Sequence, residues 1–229
     1  MKKHYFTRAE LALWLGSLAL IIAAFCIWDR TNFLTLAASL VGVTSLIFCA
    51  KGNPLGQVLI LLFSALYGVI SWYAAYYGEM ITYLGMTAPM AVYALIVWLK
   101  HPYKGNRAQV SVNRLRAREY LFMAALAAAV TAAFYFILRA LNTANLIPST
   151  VSVTTSFVAV YLTARRSPFY ALGYAANDIV LVVLWSMAAV QDISALSVVI
   201  CFAVFFINDM YGFINWMRMQ RRQQQETAA

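Results

Sequence analysis

Apolar residues run through this chain in eight long stretches, at 10–28, 33–49, 55–76, 80–99, 119–141, 148–164, 168–191 and 193–217. Each is long enough, at about 1.5 Å per residue, to cross a hydrocarbon core of roughly 30 Å as a helix. Apart from Glu10, Glu119, Arg139, Asp178 and Asp209, the charged residues fall in the breaks between stretches. With the N-terminus inside, the inside segments hold Lys2, Lys3, Arg8, Lys51, Lys100, Lys104, Arg107, Arg114, Arg116, Arg118, Arg165, Arg166, Arg218, Arg221 and Arg222. The outside turns hold Arg30 and Arg139, with Asp29, Glu79 and Asp192. Fifteen of the 17 basic residues on one side is the asymmetry of the positive-inside rule, and adding or removing one span would scramble it. The pattern predicts an all-α membrane protein of eight transmembrane helices, in a cell (inner) membrane, with both termini cytoplasmic.

Composition agrees. The chain is 63% hydrophobic and 11% charged, and eight spans leave no room for a soluble catalytic or nucleotide-binding domain. The net charge of +9 sits in short juxtamembrane segments, so it points to topology and to anionic lipid headgroups rather than to nucleic acid. Cys26, Cys49 and Cys201 are odd in number and lie inside apolar stretches; they read as buried packing residues with no disulfide or metal role. Lys2 and Lys3 precede an apolar run as in a signal peptide, but no small-x-small site follows, and Phe25 precedes Cys26 where a lipoprotein site needs a small residue. The first span is expected to be retained.

The longest polar stretch, 100–118, reads as a cytoplasmic linker between two similar groups of three spans. The first helix of each group ends in Ala50-Lys51-Gly52-Asn53-Pro54 or Ala164-Arg165-Arg166-Ser167-Pro168, 114 residues apart. In the second helices Trp72 lies seven residues before Glu79 and Trp185 seven before Asp192, an offset of 113. The third helices end on Tyr93 to Trp98 and Tyr211 to Trp216, 118 apart. The predicted organisation is a cytoplasmic segment and accessory helix at 1–30, a three-helix repeat at 31–100, a basic linker and inverting helix at 101–146, a second repeat at 147–218 and a tail at 219–229. Parallel repeats joined by an inverting helix are a transporter architecture, with a substrate site near the midplane.

Intramembrane carboxylates are costly and therefore mark candidate sites. Asn177-Asp178 and Asn208-Asp209 lie on antiparallel spans at similar depth. Helical spacing aligns Asn177 with Leu181 and Trp185, sets Tyr170, Tyr174 and Asp178 on a neighbouring stripe, and groups Asn208 with Tyr211 and Asn215. Gln57, Ser64, Gly68, Ser71 and Trp72 on the third span, with Thr82, Tyr83, Thr87 and Tyr93 on the fourth, complete a lining of amides, hydroxyls and aromatic planes. Such a lining suits a flat heteroaromatic ring bearing a polyhydroxyl group. The alternative is that the polar pairs only bridge helices, as in a non-transporting receptor or assembly protein. No Walker-type loop or His-Glu-x-x-His is present, and His4 and His101 lie at cytoplasmic ends, so an enzyme is not expected.

The segment from Asn208 through Trp216, together with Tyr76-Tyr77-Gly78-Glu79-Met80 and Tyr93 to Trp98, resembles the PnuC family of vitamin transporters over about 40–217. The resemblance implies a SWEET-like 3+1+3 bundle with an extra N-terminal helix, a homotrimer, and facilitated diffusion of nicotinamide riboside, trapped by a cytoplasmic kinase. It implies no cofactor. Related members take thiamine, riboflavin or deoxynucleosides. The family's Trp-x3-Trp reads here Leu181-x3-Trp185, so the first stacking position is lost. The expected substrate contacts are Asn177, Asp178, Trp185, Asn208, Tyr211, Gln57, Tyr174 and Asp209. Trp72 and Tyr93 are expected to gate, and Gly68, Gly173 and Gly212 to allow close helix approach.

Overall fold

The computed structural model describes residues 5–143 and 145–228; Lys2, Lys3 and His4 lie outside them. Among the described residues eight helices are long and apolar enough to span a membrane: α1 (Arg8–Asp29), α2 (Phe33–Ala50), α3 (Leu55–Tyr73), α4 (Tyr77–Lys100), α5 (Ala117–Ala140), α6 (Leu146–Ala164), α7 (Tyr170–Ala189) and α8 (Ile193–Thr227). Regular α-helix is interrupted inside spans by π-helical turns at Phe25–Asp29 in α1 and Thr82–Thr87 in α4, and α8 opens on a 3-10 turn at Ile193–Ala195. The π-helical turns insert a residue and re-aim the side chains that follow.

Local chemistry sets the helix ends. Thr7 and Glu10 form a reciprocal capping box at the start of α1, Glu10 N donating to Thr7 Oγ1 at 3.2 Å and Thr7 N to Glu10 Oε2 at 2.7 Å. Arg116 N donates likewise to Glu119 Oε2, 2.9 Å, as α5 begins. The turns after α2 and α6 share one geometry. Asn53 N returns to Phe48 O and Ser167 N to Leu162 O, each at 3.0 Å. Both turns need a left-handed residue: Gly52 supplies it at φ 67°, and Arg166 adopts it at φ 56°.

The expected linker is not wholly irregular. Residues Pro102–Tyr103 (β1) and Asn106–Val110 (β2) make a short antiparallel hairpin. Its end is pinned to the turn after α2, where Val110 N donates to Gly52 O at 2.9 Å. Gln223 completes the clamp, accepting from Val112 N at 2.8 Å and donating to Val110 O at 3.1 Å. That clamp and a run of good helix formers carry α8 straight through 219–227, where a separate tail was expected.

The core has two apolar clusters, one round Phe63, Tyr67, Trp185 and Phe202, the other round Trp98, Trp216, Tyr170 and Val110. The second lies at the basic end of the bundle, with Lys51, Lys100 and Arg165; the first faces the opposite end, with Asp29 and Asp192. Along α7 and α8 the polar pairs fall between the two. The α1 helix packs on α2 and α8, and α5 packs on α6 and touches α4. Most of α5 is exposed, including Leu121, Phe122 and Phe136, as a surface meant for lipid would be. Cys49 and Cys201 are buried as expected, but Cys26 is exposed, because α1 packs on one side only.

Candidate functional site

The polar pairs of α7 and α8 are buried, but they do not surround one chamber. Successive residues on a helix point about 100° apart, and the neighbours part company accordingly. Asn177 turns to α6, where its Oδ1 accepts from Ser152 Oγ at 3.0 Å and Thr155 Oγ1 at 2.8 Å. With Oδ1 so engaged, Nδ2 is the end that can donate to a guest. Asp178 turns to α8 and meets Asp209 side chain to side chain, so the two acids do lie at one depth. Asn208 turns the other way, donating to Ser17 Oγ of α1 at 2.9 Å and to Val204 O at 2.9 Å. Tyr211 also faces α1, its hydroxyl donating to Glu10 Oε1 at 3.0 Å.

The remaining expected residues divide by depth and side. Gln57 is buried at the basic end, its Nε2 3.5 Å from Cys49 Sγ. Tyr174, on the same side, packs edge-on to Tyr170 with ring centroids 6.2 Å apart. Trp72 and Tyr93 stand on the outside of the bundle, 55% and 54% exposed, with Trp72 packed edge-on to Tyr77. A Cβ on Gly173 would meet the Ala159 backbone at 2.8 Å, so α6 and α7 touch there because the side chain is absent. A Cβ on Gly68 would meet Leu84 at 2.6 Å, whereas on Gly212 its nearest neighbours stand at an ordinary 3.7 Å.

A cavity of about 490 Å³ opens at the end opposite the hairpin, within the range of small-molecule sites. Asp29, Asn32, Gln191 and Asp192 line its walls, and Tyr76 and Trp185 lie in its lining. The Asp192 carboxyl is held below the usual carboxylate range by the Ser194 backbone N–H it accepts, which keeps it charged at neutral pH. Aromatic contacts close the depth of the cavity. Trp185 Nε1 donates to Tyr67 Oη at 2.7 Å, and Tyr76 Oη donates to Leu184 O at 3.1 Å. The Tyr76 and Trp185 rings meet edge-on at 5.2 Å, and Tyr67 packs on Tyr83 at 4.5 Å. Behind Tyr67 only a void of about 10 Å³ continues inward. Leu181, where a second Trp was looked for, is wholly buried in the apolar cluster.

Two acids were misplaced or passed over in the sequence reading. Glu79, assigned to an outside turn, is 0% exposed and packed beside Ser152. The three-residue turn after α3 lets α4 begin at Tyr77, which carries Glu79 inside the bundle. Glu10 is buried on α1 and paired with Lys51 Nζ at 2.9 Å; the Thr7-x-x-Glu10 capping pattern was the signal for it. Among the described residues no group of three or more His, Cys, Asp or Glu side chains is arranged to hold a metal ion.

At the basic end the two halves exchange the same contacts. Trp216 Nε1 donates to Cys49 O at 2.8 Å, and Trp98 Nε1 to Thr163 O at 3.0 Å. Lys51 pairs with Glu10 of α1, and Arg165 with Glu119 of α5.

Comparison with known proteins places this geometry. The chain is 26% identical over 216 residues to the nicotinamide riboside transporter PnuC of Neisseria mucosa, an alignment covering 92% of this chain and 82% of that one. Its fold matches the crystal structure of the vitamin B3 transporter PnuC with a TM-score of 0.83 and 24% identity, over 95% of this chain and 94% of that chain. The family model for the nicotinamide mononucleotide transporters matches residues 32–218, and the chain is a member of that transporter family.

Proposed function

We propose that this protein takes up nicotinamide riboside by facilitated diffusion. The observation that carries the reading is the cavity of about 490 Å³ that stops on Trp185, Tyr67 and Tyr76. It is the shape of a carrier open on one side and shut at depth. A nicotinamide ring can stack on Trp185, and the sugar hydroxyls find the amides and carboxylates of the wall. Asn177 and the Asp178–Asp209 pair lie deeper, on the path such a guest would follow. Asn208 and Tyr211 leave the substrate set and join α1 to α8, while Gln57 and Tyr174 belong to the route's basic end. The name of the Neisseria mucosa relative supports the choice of substrate.

In this reading the basic end is cytoplasmic, because 13 of the 15 Lys and Arg among the described residues fall there. The matching turns at Gly52 and Arg166 and the exchanged Trp98 and Trp216 bonds support a SWEET-like pair of parallel three-helix repeats, with α5 as the inverting helix and α1 as an accessory. Rocking of one repeat against the other would open the closed side. The apolar outer surface of α5 suits the contacts of a homotrimer. A uniporter cannot accumulate substrate alone, so accumulation requires a cytoplasmic kinase to phosphorylate the product of transport.

Counterflow in proteoliposomes tests the reading. Labelled nicotinamide riboside should enter vesicles preloaded with the unlabelled compound, without ATP and without response to a proton gradient. No saturable counterflow with this substrate, or exchange only with thiamine, riboflavin or a deoxynucleoside, overturns it.

A further inference from the structure

We infer that Glu79 is a specificity residue, the counter-charge that lets the carrier accept a ring with a permanent positive charge. The inference rests on the proposed function and names how that same route reads its guest. Glu79 has no part in the site expected from the sequence.

Three observations converge on it. The side chain is fully buried within a membrane span, where a bare carboxylate is expensive. Among the described residues no Lys or Arg pairs with it; the ion pairs use Glu10, Glu119 and Glu226 instead. Neither carboxylate oxygen has a hydrogen-bond donor in bonding geometry. The Ser152 hydroxyl lies beside it but gives its single proton to Asn177 Oδ1.

Its surroundings are also left open. Ser71 Oγ and Thr82 Oγ1, on the helices either side of the same turn, are buried without a hydrogen bond in good geometry, Ser71 facing the Tyr67 hydroxyl. Thr82 begins the π-helical turn Thr82–Thr87, a feature common where a helix serves a ligand. Above Glu79, three residues earlier, Tyr76 lies in the lining of the cavity and against Trp185. A guest that displaces the Tyr76–Trp185–Tyr67 contacts therefore arrives beside a carboxyl group that has no cationic partner, and beside the Asn177 amide. A pyridinium nitrogen cannot shed its charge. A buried carboxyl is ionised most cheaply beside a fixed cation, so ring and carboxylate compensate each other on binding.

The test compares two guests of nearly one shape. Nicotinamide riboside is a cation; its 1,4-dihydro form is neutral and keeps the carboxamide and the ribose. Binding of each to the purified protein in detergent is measured by titration calorimetry, with melting temperature as the control for folding. Glu79→Gln should weaken the cation about 10- to 100-fold, the size of a charge interaction across roughly 6 to 12 Å at an effective dielectric near 20. It should leave the neutral guest within about twofold. Glu79→Asp keeps the charge and should retain most of the preference; it also serves if Glu79→Gln does not purify folded, since withdrawing the charge by one methylene should still lower the ratio. Equal losses for both guests, or an unchanged ratio in both variants, overturns the inference and leaves the proposed transport standing. A wild-type protein that binds neither guest sinks the transport reading itself.

Discussion

The two ends of the bundle treat the same sequence correspondence in opposite ways. At the basic end, positions 114 to 118 residues apart do the same work. Lys51 and Arg165 each hold a glutamate from a flanking helix, and Trp98 and Trp216 each cap the carbonyl at the end of the other half's first helix. At the opposite end the Trp-x6-acid segments are inverted. Trp72 is exposed and Glu79 buried, whereas Trp185 is 4% exposed and Asp192 lies at the surface. Helix length explains the inversion. The α3 helix stops at Tyr73, one residue past its Trp, while α7 runs to Ala189, four residues past. Glu79 thus falls inside α4, and Asp192 falls before the first turn of α8 as its cap. The end that is kept alike joins the halves; the end that differs holds the cavity that reaches Trp185.

The comparison breaks most sharply if the basic end proves dispensable. Glu10→Gln leaves Lys51 largely buried without its partner, against the Tyr5 and Phe6 rings at 5.0 and 5.6 Å, and should cost about 3 kcal/mol. Glu119→Gln, at a more exposed pair, should cost well under 1 kcal/mol. Denaturation in detergent reads both, and equal losses would mean that burial does not distinguish the two flanking helices.

At the other end the expected difference is in binding. Trp185→Ala removes the ring that the cavity presents and should weaken nicotinamide riboside about 30-fold, in keeping with the 1–3 kcal/mol of a stacked ring. Trp72→Ala should leave affinity within twofold. Similar losses in a binding titration would restore Trp72 to the site and refute the inversion.

A smaller and symmetrical effect is expected from the exchanged bonds. Trp98→Phe and Trp216→Phe each remove one donor to a buried carbonyl and should each destabilise by about 1–2 kcal/mol. A neutral result for one and a severe result for the other would end the case for matched halves. The least effect belongs to the rim. Asp192→Asn should raise the half-saturating concentration of a cationic substrate less than about threefold, and less still in high salt, where surface charges are screened. A salt-independent effect would move Asp192 from steering to direct contact.

Much of this was legible in the chain itself. Length and hydropathy make eight helices unavoidable, since a backbone in hydrocarbon has to satisfy its own hydrogen bonds. The shared turns showed in Lys51-Gly52-Asn53-Pro54 and Arg165-Arg166-Ser167-Pro168, and the common depth of Asp178 and Asp209 followed from helical rise. Direction did not follow. Asn177 and Asp178 are adjacent in sequence yet face different helices, and Asn208, expected at the substrate, gives its amide N–H groups to Ser17 and Val204.

What the sequence determined by itself is everything that depends on one helix and the bilayer: the number of spans, their order and which end is basic. Tertiary structure alone decided which face of each helix meets which neighbour. That choice made Glu79 interior and Trp72 exterior, put Glu10 against Lys51, and closed the cavity on Trp185. The physical reason is that the membrane sees only a residue's depth, whereas a partner helix sees its rotation about the axis. A single residue gained or lost at a helix end turns that rotation by about 100° without changing hydropathy at all.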